Sequence, residues 1–278
     1  MTELRRRMIE DMCLRGLKKA TQRTYVDAVA NLARYFKRSP DQVTEEELRR
    51  FFVSLTRRRA KSTVRVHLFA IRFLYRYTLG RPSSTLDLIR VKRDRTLPAV
   101  LSHDEVRQLL ASIRRPEARI AALLMYSCGL RVSQAIHLKV ADVDSHRMVL
   151  CVRHGKGGQQ QYVLLPQRTL ELLRAYWLEH RPTDWLLPDQ TGRSPIRREA
   201  VLKAIVPAAQ EAHLTKHVSC HTLRHSYATG LLEDGMDIRF IQGLLGHHSI
   251  RSTATYAHLT SGAMKSIQAT LNNRMANL

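Results

Sequence analysis

Through the first ninety residues of this 278-residue chain, apolar residues recur every three or four positions, a spacing that suits helices and cannot keep one face of a strand apolar. Leu4 to Leu17 reads as a first helix, followed by a turn at Gly16–Lys18. Thr21 opens a second, in which Tyr25, Val29, Leu32 and Phe36 share a face, and Ser39-Pro40 ends it. Thr44 with Glu47 three residues on is a capping-box signature, and it opens a third helix through Phe51, Phe52 and Leu55. The fourth, KSTVRVHLFAIRFLYRYTLGR, runs to a break at Gly80-Arg81-Pro82. At about 100° per residue, Val64, Leu68, Ile71 and Tyr75 make an apolar stripe about 60° wide, and Lys61, Arg65, Arg72 and Arg76 lie within about 60° of one another beside it. One face can pack on a core while the next offers cations to phosphates; a solvated charged face would have the same pattern.

Lys92-Arg93-Asp94-Arg95-Thr96-Leu97-Pro98 has the charge and proline of an exposed linker, which predicts one domain over 1–95 and another over 96–278. Ser102 with Glu105 starts a fresh helix, and 117–128 reads as a buried helix ended by Gly129. Arg147–Val152 and Gln161–Leu165 are short β-rich runs joined by His154-Gly155-Lys156-Gly157-Gly158, a hairpin signal. From Thr169 the helical pattern returns. The fold class expected is mainly α, with one small β-element in the second domain.

Charge narrows the function. Lys plus Arg total 46 against 24 acidic residues, a formal +22. That self-repulsion points to a polyanionic partner, although solubility alone also favours charge. The excess is uneven: residues 1–95 carry 24 basic and 10 acidic residues, so the front third is the more obvious gripping surface. Cys13, Cys128, Cys151 and Cys220 are scattered, with no C-x-x-C pair, and read as idle thiols in a reducing compartment. No run of eighteen apolar residues and no signal-peptide core is present, so a cytoplasmic location without membrane contact is expected.

Four stretches line up along the second domain: CGLRVSQ (128–134), RHGKGGQ (153–159), HTLRH (221–225) and LLGHHSIRSTATY (244–256). Each is weak alone. In this order and spacing they resemble the catalytic domain of the tyrosine recombinases, which include phage integrases and Xer-type recombinases. The helical, basic front part resembles that family's core-binding domain, a SAM-like four-helix unit. The resemblance implies an enzyme that cleaves and rejoins DNA through a 3′-phosphotyrosine, with Tyr256 as nucleophile.

The chemistry fits those residue types. Transesterification at phosphorus needs charge stabilisation, a nucleophile opposite the leaving group and a proton for the departing 5′ oxygen. Arginine's planar fork can bond two phosphate oxygens at once. By resemblance, Arg131 and Arg224 clamp the non-bridging oxygens; pairing with surface carboxylates is the commoner fate of an arginine. Lys156 matches the hairpin lysine and would act as general acid. His221, one helical turn before Arg224, and His247 match positions that hold the phosphate or support Tyr256. Tyr227 is the nearest rival tyrosine. Where the family commonly reads Gly-Leu-Arg-x-Ser-Glu this chain has Gln134, which keeps an acceptor and loses the charge.

HTLRH has two histidines at zincin spacing but lacks the glutamate after the first, and no nucleotide-binding loop or acidic magnesium cluster is present, so no metal or cofactor is expected. The partners implied by resemblance are double-stranded DNA with specific recombination sites and three further copies of the chain, with accessory DNA-bending proteins possible in principle. Neither an arm-binding domain nor an added integron-type helix is expected, as in a simple recombinase of a mobile element or plasmid. The tail from Thr260 to Leu278, with Met264, Ile267 and Leu271, resembles an oligomerisation helix, and packing on its own chain would give the same pattern. Two alternatives remain: a type IB topoisomerase-like relaxing enzyme and a non-enzymatic DNA-binding regulator.

Overall fold

The computed structural model describes residues 2–92, 98–153, 160–245 and 261–278, with side chains from 266 onward in the last stretch. The chain divides into two compact units, Met1–Thr96 and Leu97–Leu278.

The first unit is helical: α1 (Glu3–Leu14), α2 (Lys19–Phe36), α3 (Glu45–Arg58), α4 (Lys61–Phe73) and the short α5 (Ser84–Leu88). Its core gathers Met8, Met12, Leu32, Leu48, Phe52, Leu68 and Ile71, with α2 laid against α4. The capping box at α3 is complete: Thr44 accepts from the Glu47 N–H, and the Glu47 carboxylate accepts from the Thr44 N–H at 2.9 Å. Two details differ from the sequence reading. Helix α2 begins at Lys19 rather than Thr21, with the Gln22 side chain donating back to the Leu17 carbonyl at 2.7 Å. The fourth helix is α-helical only to Phe73, and Leu74–Thr78 forms a wider π turn. There the buried Tyr75 hydroxyl bonds the carbonyls of Pro40 and Val43 at 3.0 and 3.1 Å. The extra residue in that turn rotates Arg76 away from the line that an unbroken helix would give it.

The second unit contains α6 (His103–Ser112), α7 (Pro116–Ser127), α8 (Val132–Ile136), β1 (Val143–Asp144), β2 (Val149–Val152), β3 (Gln161–Leu164), α9 (Gln167–His180), α10 (Arg198–Glu211), α11 (Cys220–Glu233), α12 (Ile238–Leu244) and α13 (Ser261–Met275). Helix α7 is its axis. From Ile120 to Ser127 every residue is buried, and α6, α8, α9, α10 and α11 all pack on it. An all-round apolar helix has that place because it has no face to give to water. The strands form one antiparallel sheet in the order β1-β2-β3, with Leu150 opposite Val163. The two-residue β1 is too short to leave a periodic mark in the sequence. The fold is thus mainly α with a small sheet.

The C-terminal helix packs on its own chain. Ile267, Leu271 and Met275 enter the core of the second unit. Gln268 donates to the Leu165 carbonyl at 2.9 Å, and the Asn272 side-chain oxygen accepts the Gln167 N–H at 2.9 Å, satisfying an open donor at the start of α9.

Candidate active site

Helix α7 ends at Cys128, and Gly129 takes a left-handed conformation with φ +62°. A Cβ at Gly129 would stand 2.5 Å from the Tyr227 ring, so both the turn and the contact require glycine. The reversed chain brings Arg131 to the start of α8, partly exposed. Gln134, 5% exposed, accepts the Arg131 backbone N–H at 2.9 Å through its amide oxygen. The change from the family's usual glutamate therefore leaves the local bond in place.

Helix α11 starts from a Ser219 cap, whose hydroxyl accepts the Thr222 N–H, and is anchored by Ser226, which accepts the Leu101 N–H at 2.8 Å. It carries His221, Arg224 and His225. Arg224 is half-buried, and its guanidinium donates to the carbonyls of Gly129 and Leu245. Burial, and secondarily the neighbouring Arg131 charge, push its pKa down to about 10. It remains a cation at neutral pH. Among the described residues, neither Arg131 nor Arg224 is paired with a carboxylate. A half-buried guanidinium with a second cation near enough to lower its pKa is suited to meeting an anion.

His221 is exposed, with its ring centroid 6.5 Å from that of His225. Burial holds His225 below the usual histidine range, helped by His221 and then Arg224. The base of the β2–β3 hairpin has an anchor that motif reading missed. Asp142, 1% exposed, accepts from Arg153 Nε at 2.6 Å and from the Lys139 N–H at 2.9 Å. A buried carboxylate tied to the residue just after β2 leaves no motif, because the two partners are eleven positions apart. Lys156, His247 and Tyr256 lie outside the described residues. Tyr227, the rival tyrosine, is 1% exposed and packs against Gly129, which removes it from contention as a nucleophile.

Residues 99–262 match the phage integrase family, and residues 4–85 match the phage integrase N-terminal SAM-like domain. The chain belongs to the phage integrase family. An integrase/recombinase of Sinorhizobium fredii, y4qK, is 40% identical over 94% of this chain and 86% of its own length. Tyrosine recombinase XerD of Oceanobacillus iheyensis is 33% identical over 94% of each chain. The fold is shared with a lambda integrase (residues 75–356) dimer bound to a COC′ core site, at a TM-score of 0.74 and 18% identity over 93% of this chain and 98% of that one. It is also shared with XerH bound to a palindromic difH substrate, at 0.69 and 23% over 91% and 80%. The integrase is thus an enzyme of the tyrosine recombinase class.

In the integrase's first unit, the four cations expected to share a face do not behave alike. Lys61 and Arg76 are exposed and Arg65 is partly so. Arg72 instead turns to α5, where it donates to the Leu86 carbonyl and lies 3.7 Å from the Asp87 carboxylate.

Proposed function

We propose that the integrase cleaves and rejoins specific DNA sites through a 3′-phosphotyrosine at Tyr256. The observation that carries the reading is Arg224, half-buried and bonded to the Gly129 turn two residues before Arg131, with no carboxylate on either arginine among the described residues. In this mechanism their forks hold the non-bridging oxygens of the scissile phosphate, where negative charge builds as phosphorus becomes five-coordinate. The Tyr256 hydroxyl gives its proton to solvent water as its oxygen attacks phosphorus. The bond to the 5′ oxygen breaks, and that oxygen takes a proton from Lys156, leaving a free 5′-hydroxyl. Attack by a 5′-hydroxyl from a second strand reverses each step, so the phosphodiester energy is conserved and no cofactor is consumed. His221 and His247 hold the phosphate or the nucleophile in place.

The first unit acts as the core-binding domain, gripping phosphates with the cations of α4, and the second as the catalytic domain. Four copies on two synapsed double-stranded sites exchange strands in pairs, moving or resolving a mobile element or plasmid. Support comes from the XerH complex and from a lambda integrase tetramer on a Holliday junction, which share the fold. A nicked suicide duplex tests the chemistry: wild type should accumulate a covalent protein–DNA adduct that Tyr256→Phe cannot form. Equal trapping by that variant would reassign the nucleophile. Relaxation of a single supercoiled plasmid without exchange between two sites would mark a topoisomerase instead.

A further inference from the structure

Phe69 lies on α4 one turn after Arg65 and is 46% exposed, while its neighbours Leu68 and Ala70 are buried. At about 100° per residue it falls some 40° from Arg65, at the edge of the cationic stripe. The core of the unit is complete without it, and among the described residues no aromatic ring or cation stacks on it. Arg65 gives the same helix surface a positive charge, and Arg76 lies exposed beyond it. A surface of this kind that meets a polyanion brings the phenyl ring against that polyanion.

We propose that Phe69 reads DNA sequence, its ring resting on the C5-methyl of a thymine in the major groove while neighbouring cations hold the flanking phosphates. The inference rests on the proposed DNA-gripping role of α4. Helix width selects the groove: an α-helix with side chains, about 10–12 Å across, fits the major groove and not the minor one. Within that groove the apolar group on a base edge is the thymine methyl. Phosphates offer a phenyl ring nothing, so whatever Phe69 adds to binding comes from a base edge and carries sequence preference.

The test uses the full chain and a duplex recovered by selection from a random pool, trimmed to one protomer's half-site. Each thymine is replaced in turn by deoxyuridine, which keeps the hydrogen-bonding groups and lacks the methyl. Wild type should lose about fourfold in affinity at one or two positions, the worth of one buried methyl. Phe69→Ala should bind the thymine duplex weaker by a similar factor and be indifferent at those positions, while Phe69→Leu keeps part of the preference. Arg65→Ala should weaken binding to every duplex alike, reduce its salt dependence and keep the methyl preference. Discrimination by Phe69→Ala at the same positions as wild type overturns the proposal, as does wild type indifferent to every replacement or a selected half-site without thymine. A change in oligomeric state for Phe69→Ala with DNA preference intact also overturns it and makes Phe69 a contact between copies. Unchanged affinity in both Arg65→Ala and Arg76→Ala is a separate result, which removes the gripping role of α4 itself.

Discussion

The Arg224 guanidinium donates to the Gly129 carbonyl and so ties α11 to the turn that presents Arg131. A second donor goes to the Leu245 carbonyl, at the end of the segment leading toward His247 and Tyr256. One side chain thus ties the Gly129 turn to the end of α12. Only a planar fork with several donors can do both, because an ammonium offers no fixed geometry. Arg224→Lys should therefore reduce the rate of covalent-adduct formation on a suicide duplex about 10²–10³-fold, the effect of losing one oriented donor at a developing oxyanion. Its affinity for uncleaved DNA should change far less. An adduct rate within threefold of wild type would show that charge alone suffices at this position.

Gly129 carries two constraints that a methyl group violates together. Its φ of +62° strains any L-residue, and the added Cβ would meet the Tyr227 ring at 2.5 Å. Gly129→Ala should destabilise the second unit by about 2–4 kcal/mol in total. Urea denaturation of the purified chain measures it. Adding Tyr227→Leu should recover part of that loss by relieving the contact while leaving the backbone strain. No recovery would place the whole penalty in the backbone.

The same residues show what the sequence could reveal. The capping boxes at Thr44 and Ser102, the buried run of α7 and the break at Gly129 are local signals, each written in a few consecutive residues. The motifs single out Arg131 and Arg224 but not what brings Arg224 to the Gly129 turn, which depends on α11 packing against α7 across ninety residues of chain. Asp142 went unnoticed for the same reason: nothing about an aspartate before a strand marks it as the partner of Arg153. Arg72 shows the opposite failure. Helical periodicity placed it with Lys61, Arg65 and Arg76, but a carbonyl of α5 fourteen residues later claims its guanidinium.

Asp142 leads to a prediction about the hairpin. With its carboxylate gone, Arg153 loses its partner and the Lys139 N–H its acceptor. Asp142→Ala should cost about 1–3 kcal/mol. If Lys156 delivers the leaving-group proton from a hairpin anchored here, adduct formation should slow as well. A bridging phosphorothiolate substrate, whose sulfur leaves without a proton, should then erase most of the rate difference between variant and wild type. A deficit that persists on that substrate places the effect of Asp142 outside proton donation.

His225 gives the second unit a pH dependence of known sign. Burial, His221 and Arg224 hold its folded-state pKa below the ordinary 6.5. The unfolded chain therefore takes up the proton first, and stability falls as pH drops below about 6.5, levelling off beneath the folded-state value. His225→Gln should show a shallower loss over that window, read from melting temperatures at constant ionic strength between pH 7.5 and 5. An identical slope would assign the acid sensitivity to other groups.

Arg274 holds the C-terminal helix to its own chain by donating to the Gly230 carbonyl and the Asp234 carboxylate, each at 2.7 Å. A Cβ at Gly230 would occupy the space of that guanidinium. Arg274→Ala should cost about 1–3 kcal/mol by removing both bonds. Gly230→Ala should also destabilise, because the flexible arginine must swing away and release the same partners. In the Arg274→Ala background, however, the space is empty, and alanine in a helix interior is better than glycine by about 0.5–1 kcal/mol. The second substitution should then stabilise, so the effect of Gly230→Ala changes sign between backgrounds. A double-mutant cycle by urea denaturation measures it, and simple additivity would mean that the arginine is not what fills the space above Gly230 in solution.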